Sequence, residues 1–360
     1  MPLHHYVPLS VISEFASAES WKVVRASRKE KARIARLDAE AIKRVDKRKW
    51  PICIYEKDKH RLTRKPAEKV CSQIGLYRVP NYNYRENRAL IRRSLENSLF
   101  DGKPLFENFD EFLRLGDIPV DLDMIERVQI GEIDGKFAGL LPLLRNGQQL
   151  NDEQISIILR FVAFARFRTP TWRRVYFSKA YGEPVARLKQ SLEAQRPVAL
   201  MFDVQRWASL GELISLIDDL VYNMAIVLSC DQHLNVLRNA GARILILHTE
   251  GSAPFITCDN PARPYHTDRI RRMLSEPLPP GFQDGKSQIV YPISPKSCLL
   301  ISSNPSYPSF AHEDIKAKHV RAINTALALM ADKEIVLAGP SISVFEDWLD
   351  IGKLQPIPGP

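Results

Sequence analysis

The hydrophobic period of this chain changes partway along, and that change limits the fold more than any single motif. Through the middle, apolar residues recur at three- and four-residue steps, as helices require; from Ala242 they crowd into short runs. The clearest helix is Asp152 to Arg168, where Ile155, Ile158, Leu159, Val162 and Ala163 form one stripe. Asn151 caps its start, acids fill its first turn, and Arg168-Thr169-Pro170 ends it. Helical spacing also covers Arg85 to Phe112 (broken at Asp101-Gly102-Lys103-Pro104), Leu122–Val128, Ala180–Gln195, Leu210–Ser229 and Asp231–Arg238.

Strand signals flank these helices. Pro51–Glu56 turns at Lys57–His60 into Arg61–Arg64. Later, Ala242–His248 with Pro254–Cys258, and Gln288–Ile293 with Cys298–Ser302, read as two hairpins. A Pro- and Gly-rich loop spans Pro277 to Gly285. A last helix, His312–Ala331, precedes a strand at Glu334–Ala338. The expected class is α+β: a largely helical middle and a late antiparallel β-sheet that the early strand can join. The expected organisation is an N-terminal segment 1–20, a basic helical insertion 21–50, a main domain 51–354 and a tail 355–360.

Charge is concentrated. The chain has 360 residues with 51 Lys and Arg against 42 Asp and Glu, a net charge of +9. The window Trp21–Trp50 carries twelve basic and four acidic residues, which is +8 of that total. It holds good helix formers with no Pro or Gly, and a narrow apolar stripe. A cationic face built from Arg25, Arg28, Lys29, Lys31, Arg33, Arg36, Lys43, Arg44, Lys47 and Arg48 can follow a phosphate backbone; it can also be a merely solvated face.

Several classes fall away. GxxxxGK[ST], GxGxxG, HExxH, GxSxG and paired CxxC motifs are all missing. Five scattered cysteines suggest neither a disulfide framework nor a zinc site, and Cys258 reads as a buried strand thiol. No run approaches 18 apolar residues, so the expectation is a cytoplasmic protein without a membrane partner. What remains is a set of odd polar stretches: His4-His5-Tyr6-Val7-Pro8, Arg168-Thr169-Pro170, Phe255 to Pro261 around Asp259 and Asn260, and Asn324.

These stretches resemble the bacterial domain-of-unknown-function family 4238. The opening His4–Pro8 is similar to the family's HHYVP start. Ile54–Asp58, Leu76-Tyr77, Phe164–Pro170, Phe255–Pro261, Tyr291–Pro295 and Ile323-Asn324 match its later motifs in order. The 21–50 segment departs from the family pattern as an insertion, and Cys258 stands where the family has serine. The resemblance implies a link to bacterial defence, but no established activity.

Three functions fit the residues. One is a nuclease or related phosphotransfer hydrolase, with His5 as base or ligand, Asp259 as metal ligand or orienter, Asn260 positioning and Arg168 on phosphate. His5 and Asp259 would then hold Mg²⁺ or Mn²⁺. Another is a non-catalytic nucleic-acid or protein binding module, in which the same residues form a structural polar hub. The third is a small-molecule sensor, or an enzyme of another class, with the Arg, Asp and Asn in a pocket.

Overall fold

The computed structural model describes residues 3–5, 7–16, 50–74, 99–100, 103–104, 130–202, 204–249, 253–262, 265–266 and 287–339. The basic segment 21–49, the Leu122–Val128 helix, the Pro277–Gly285 loop and the 355–360 tail lie outside these residues. The chain divides into two compact units: 1–4, 74–132 and 170–231 form one, and 5–73, 133–169 and 232–360 the other.

In chain order the strands begin with β1 (Leu3–His5), β2 (Pro51–Glu56), β3 (Arg61–Pro66), β4 (Ser72–Ile74), β5 (Leu99–Phe100) and β6 (Lys103–Pro104). They continue with β7 (Arg243–Thr249), β8 (Thr257–Cys258), β9 (Tyr265–His266), β10 (Ser287–Ser294), β11 (Ser297–Ser302), β12 (Phe310–Ile315) and β13 (Glu334–Leu337). The helices are α1 (Leu9–Ile12), α2 (Gly131–Arg145), α3 (Asp152–Phe167), α4 (Ser178–Phe202), α5 (Val204–Asn239) and α6 (Ala317–Met330).

The first unit carries α4, most of α5 and a π-helical turn, Trp172–Phe177. Trp172, Phe177 and Tyr222 pack ring on ring there, and the Arg173 guanidinium sits 4.5 Å over Tyr222. Arg173 also pairs with Asp219, and Lys189 with Asp218, tying the start of this helical stretch to α5. A single helix α5 replaces the two segments expected at 210–229 and 231–238. Within the stretch read as helix with a break, β5 and β6 pair antiparallel, Leu99 with Pro104 and Phe100 with Lys103.

Among the described residues, the second unit has two larger sheets, and α6 packs against both. The first sheet runs β12-β7-β11-β10-β9 and the second β3-β2-β13-β8. Both are antiparallel except that β12 lies parallel to β7, so the class is α+β, as the period change predicts. Val320, Ile323 and Leu327 of α6 share one buried cluster with Leu245, Leu247 and Leu300 of the first sheet and Tyr55, Ile335 and Leu337 of the second. With both faces covered, β7 can be apolar over its buried stretch Ile244–Leu247. On its other face, Phe161 of α3 meets Tyr291 of β10 edge-on at 5.2 Å and stacks on Phe137 of α2 at 3.6 Å.

Some local signals match the structure and some pairings differ. α3 starts with a capping box in which Asn151 and Gln154 satisfy each other's backbone N–H groups. The β10–β11 hairpin forms as expected. The 242–248 and 254–258 segments do not pair with each other; β7 lies between β11 and β12, whereas β8 joins β13 in the sheet of the early strand. Residues 312–315, expected to open the last helix, are strand β12, and the helix begins at Ala317. Among the described residues, no helix is long and apolar enough to cross a membrane.

Candidate functional site

The Phe255–Pro261 stretch gathers most of the motif residues at the corner where α6 turns into β13. The Asp259 carboxylate accepts three backbone N–H groups: Asp332 at 2.7 Å, Lys333 at 2.6 Å and Glu334 at 3.1 Å. Its own N–H donates to the Glu334 carbonyl. Asp259 is 4% exposed. Burial pushes its carboxyl up to about 7, while the three N–H donors pull the other way by favouring the anion.

A helix ends with carbonyls that lack intrahelical partners, and here side chains from elsewhere supply them. Lys57 Nζ donates to the Ala328 and Ala331 carbonyls at 3.1 and 2.6 Å, and Asn260 Nδ2 to that of Met330 at 3.4 Å. The Lys57 N–H reaches the Lys333 carbonyl as well. Asn324, 1% exposed within α6, accepts from the Ile256 N–H and donates to the Pro254 carbonyl. Two motifs remote in sequence, Ile54–Asp58 and Phe255–Pro261, thus clamp one helix end.

Glu334 carries this network outward. Its Oε2 accepts the Cys71 N–H at 2.9 Å, and its Oε1 meets Lys65 Nζ at 2.6 Å. Cys71 is fully buried with φ at 47°, a left-handed conformation costing a non-glycine residue roughly 1–2 kcal/mol. The bond to Glu334 helps to hold it there. Burial pushes the thiols of both Cys71 and Cys258 up, which keeps them protonated. None of the five cysteines is in a disulfide.

Lys65 also bonds Glu56 at Oε1, while Arg61 and Lys59 meet its Oε2. Lys65 and Arg61 lead in holding the Glu56 carboxyl down at about 2. A depressed carboxyl stabilises the fold above its unfolded value near 4.5, and loses that contribution as pH falls toward 2. Its cations are 30–59% exposed, so screening limits the gain to about 1 kcal/mol. Glu56→Gln should therefore flatten the acid limb of stability between pH 4.5 and 2, as followed by urea unfolding at stepped pH. An unchanged limb would show that these ion pairs contribute nothing.

Arg168 stands at the C-terminal cap of α3 and is fully buried. Its Nη1 lies 2.9 Å from both Asp134 oxygens, and its guanidinium 5.7 Å from the centre of the Phe161 ring. His5 donates from Nε2 to the Glu68 carbonyl at 3.0 Å, and Val7, Val11, Ile12 and Phe15 behind it are buried. The opening motif therefore anchors its segment.

The hydrogen-bond partners identified for His5, Arg168 and Asp259 have no member in common, whereas Asp259, Asn260 and Asn324 converge on α6 and its ends. Sequence reasoning did not single out Asp134, Cys71 or Glu334. Asp134 follows a helix start that carries no cap signal, and Cys71 gives no sign of its left-handed backbone. The ten cationic residues proposed for phosphate lie outside the described residues. Among the described residues, no group of three or more His, Cys, Asp and Glu side chains is placed to hold a metal ion. No curated protein and no solved structure matches the chain. The family model described as "Protein of unknown function (DUF4238)" matches residues 3–339, and the chain belongs to that family.

Proposed function

We propose that this chain is a non-catalytic nucleic-acid-binding module, in which the motif residues hold the scaffold and the basic 21–50 segment takes the phosphates. The observation that carries this reading is the state of Asp259, buried with both carboxylate oxygens committed to three backbone N–H groups. A nuclease would need that carboxylate open to Mg²⁺ or Mn²⁺, or to His5. His5 Nε2 is engaged by the Glu68 carbonyl. Arg168, the residue considered for phosphate, is fully buried against Asp134. These residue types suit hydrolysis, and their surroundings suit a polar hub. Affinity then rests on the +8 charge of residues 21–50.

The test is fluorescence anisotropy with labelled DNA and RNA across a salt series. Each phosphate contact contributes about −0.9 to the log–log slope for duplex DNA. Replacing Arg28, Lys29, Lys31 and Arg33 by Gln should flatten that slope by about 3–4 units. A slope unmoved by the four substitutions would refute the assignment. Cleavage of the labelled strand with Mg²⁺ or Mn²⁺ would instead support the hydrolase.

A further inference from the structure

Ionisable groups of the second unit gather again, away from the motif hub, at one end of the five-stranded sheet. Strand register puts Ser297 of β11, His248 of β7 and Asp314 of β12 side by side, with His312 two residues before Asp314. The His248 and His312 rings are 5.2 Å apart at their centres with planes within 9°. His248 Nε2 lies 2.9 Å from His312 Nδ1, so the two rings meet edge to edge. Their outer nitrogens are also engaged. His312 Nε2 is 3.1 Å from the Gln148 carbonyl, and His248 Nδ1 is 3.1 Å from the Ser297 hydroxyl.

The hydrogen positions follow from one end of this row. A carbonyl only accepts, so His312 Nε2 carries a hydrogen. In a neutral ring His312 Nδ1 then accepts, His248 Nε2 donates, and His248 Nδ1 accepts from Ser297. Gln148 belongs to the turn between α2 and α3. That turn and the sheet edge flank an open cleft of about 340 Å³, lined by Arg145, both histidines, Glu313 and Asp314.

We propose that the His248–His312 pair is a pH-sensitive latch, closed at neutral pH, that fastens the α2–α3 turn to edge strand β12. One added proton is accommodated, because His248 Nδ1 can become a donor and Ser297 an acceptor. A second proton sets N–H against N–H across the 2.9 Å contact and places two cations together. Arg145 of α2 opposes protonation, although its own charge is shared with Glu14 at 2.5 Å. Asp314 of β12 favours protonation of His248; the Glu313 carboxyl, which also lines the cleft, is pushed up by burial. Phe310 of β12 presents no charge to His312. Burial and then His312 hold the His248 imidazole below its ordinary value. The folded state thus binds fewer protons than the unfolded one, so the latch is fully effective above about pH 6.5, tolerates the first proton as pH falls, and is lost when the second binds.

Amide hydrogen exchange on the full chain tests this, read at Asn146 and Gln148, whose N–H groups bond the Pro142 and Leu143 carbonyls. After correction for intrinsic exchange, protection should fall about tenfold per pH unit below the latch transition. In His312→Gln, protection should be low and the same at pH 7.5 and 5.0. Imidazole ¹⁵N shifts of the unmodified protein give a second reading, independent of how the variant folds. They should show both rings with hydrogen on Nε2, and His248 titrating below the ordinary histidine value. Protection that ignores pH, an equal pH response in His312→Gln, or a His248 ring that titrates at its ordinary value near 6.5 would each overturn the latch.

Discussion

Replacing Arg168 by methionine is expected to lower stability by about 3–5 kcal/mol, the range for removing one partner of a buried ion pair. The guanidinium is fully buried, whereas the Asp134 side chain it neutralises is 22% exposed. Burial pushes the Asp134 carboxyl up, and Arg168 opposes that rise. Without Arg168 the carboxyl rises further, and Asp134 takes up a proton on folding. A carboxyl raised in the folded state makes folding more favourable as pH falls, so the variant's deficit should shrink as pH falls. Loss of the cation over Phe161 adds about 1 kcal/mol that does not depend on pH. A second change, Asp134→Leu, removes the stranded charge and should recover most of the loss. Urea unfolding of both variants at pH 5 and 7.5 reads all of this. A single variant within 1 kcal/mol of the parent would show that Arg168 is not held for the scaffold, and would return it to the candidates for phosphate.

Features governed by neighbouring residues were legible in the sequence. Asn151 and Gln154 sit three apart and form the capping box of α3, and the β10–β11 hairpin closes over two residues. Features governed by distant partners were less so. Short apolar runs mark β7 and β8 as strands, but nothing local says that β12 pairs parallel to β7 or that β8 pairs with β13. The acids Glu313 and Asp314 resemble the first turn of a helix, and only the sheet edge makes them strand. α2 contains Gly135, Gly139 and Pro142, all poor helix residues; burial of Phe137, Leu140, Leu141 and Leu144 overrides them.

The site shows the same division. Asp259, Asn260, Asn324 and Arg168 were visible as polar residues in apolar settings. Their partners were not, because the groups facing Asp259 are backbone N–H donors that every residue carries. An acid that binds a metal and an acid that binds a turn look alike in a sequence. Asp134 lies 34 residues before Arg168, on a helix with no visible start, so their pairing had no local signature.

Asp259→Asn separates the scaffold from the catalytic reading. The carboxylate offers two acceptor oxygens to three donors, Lys333 and Glu334 on one and Asp332 on the other. An amide keeps one oxygen and turns an NH₂ group toward an N–H on the other side. At least one buried donor is then unmet, at about 1–3 kcal/mol each, and the α6–β13 corner loosens. At about 2–4 °C per kcal/mol the melting temperature should fall by about 4–10 °C. Binding by the protein that remains folded should be unchanged, since the basic segment is untouched. The decisive measurement is therefore melting temperature together with binding and cleavage of labelled DNA and RNA, with Mg²⁺ and Mn²⁺, on this one variant at a temperature where it is folded. A melting point lowered by several degrees with unchanged nucleic-acid affinity is the predicted result. A melting point within 1 °C of the parent, together with the loss of a cleavage activity the parent possesses, would contradict the account and make Asp259 catalytic.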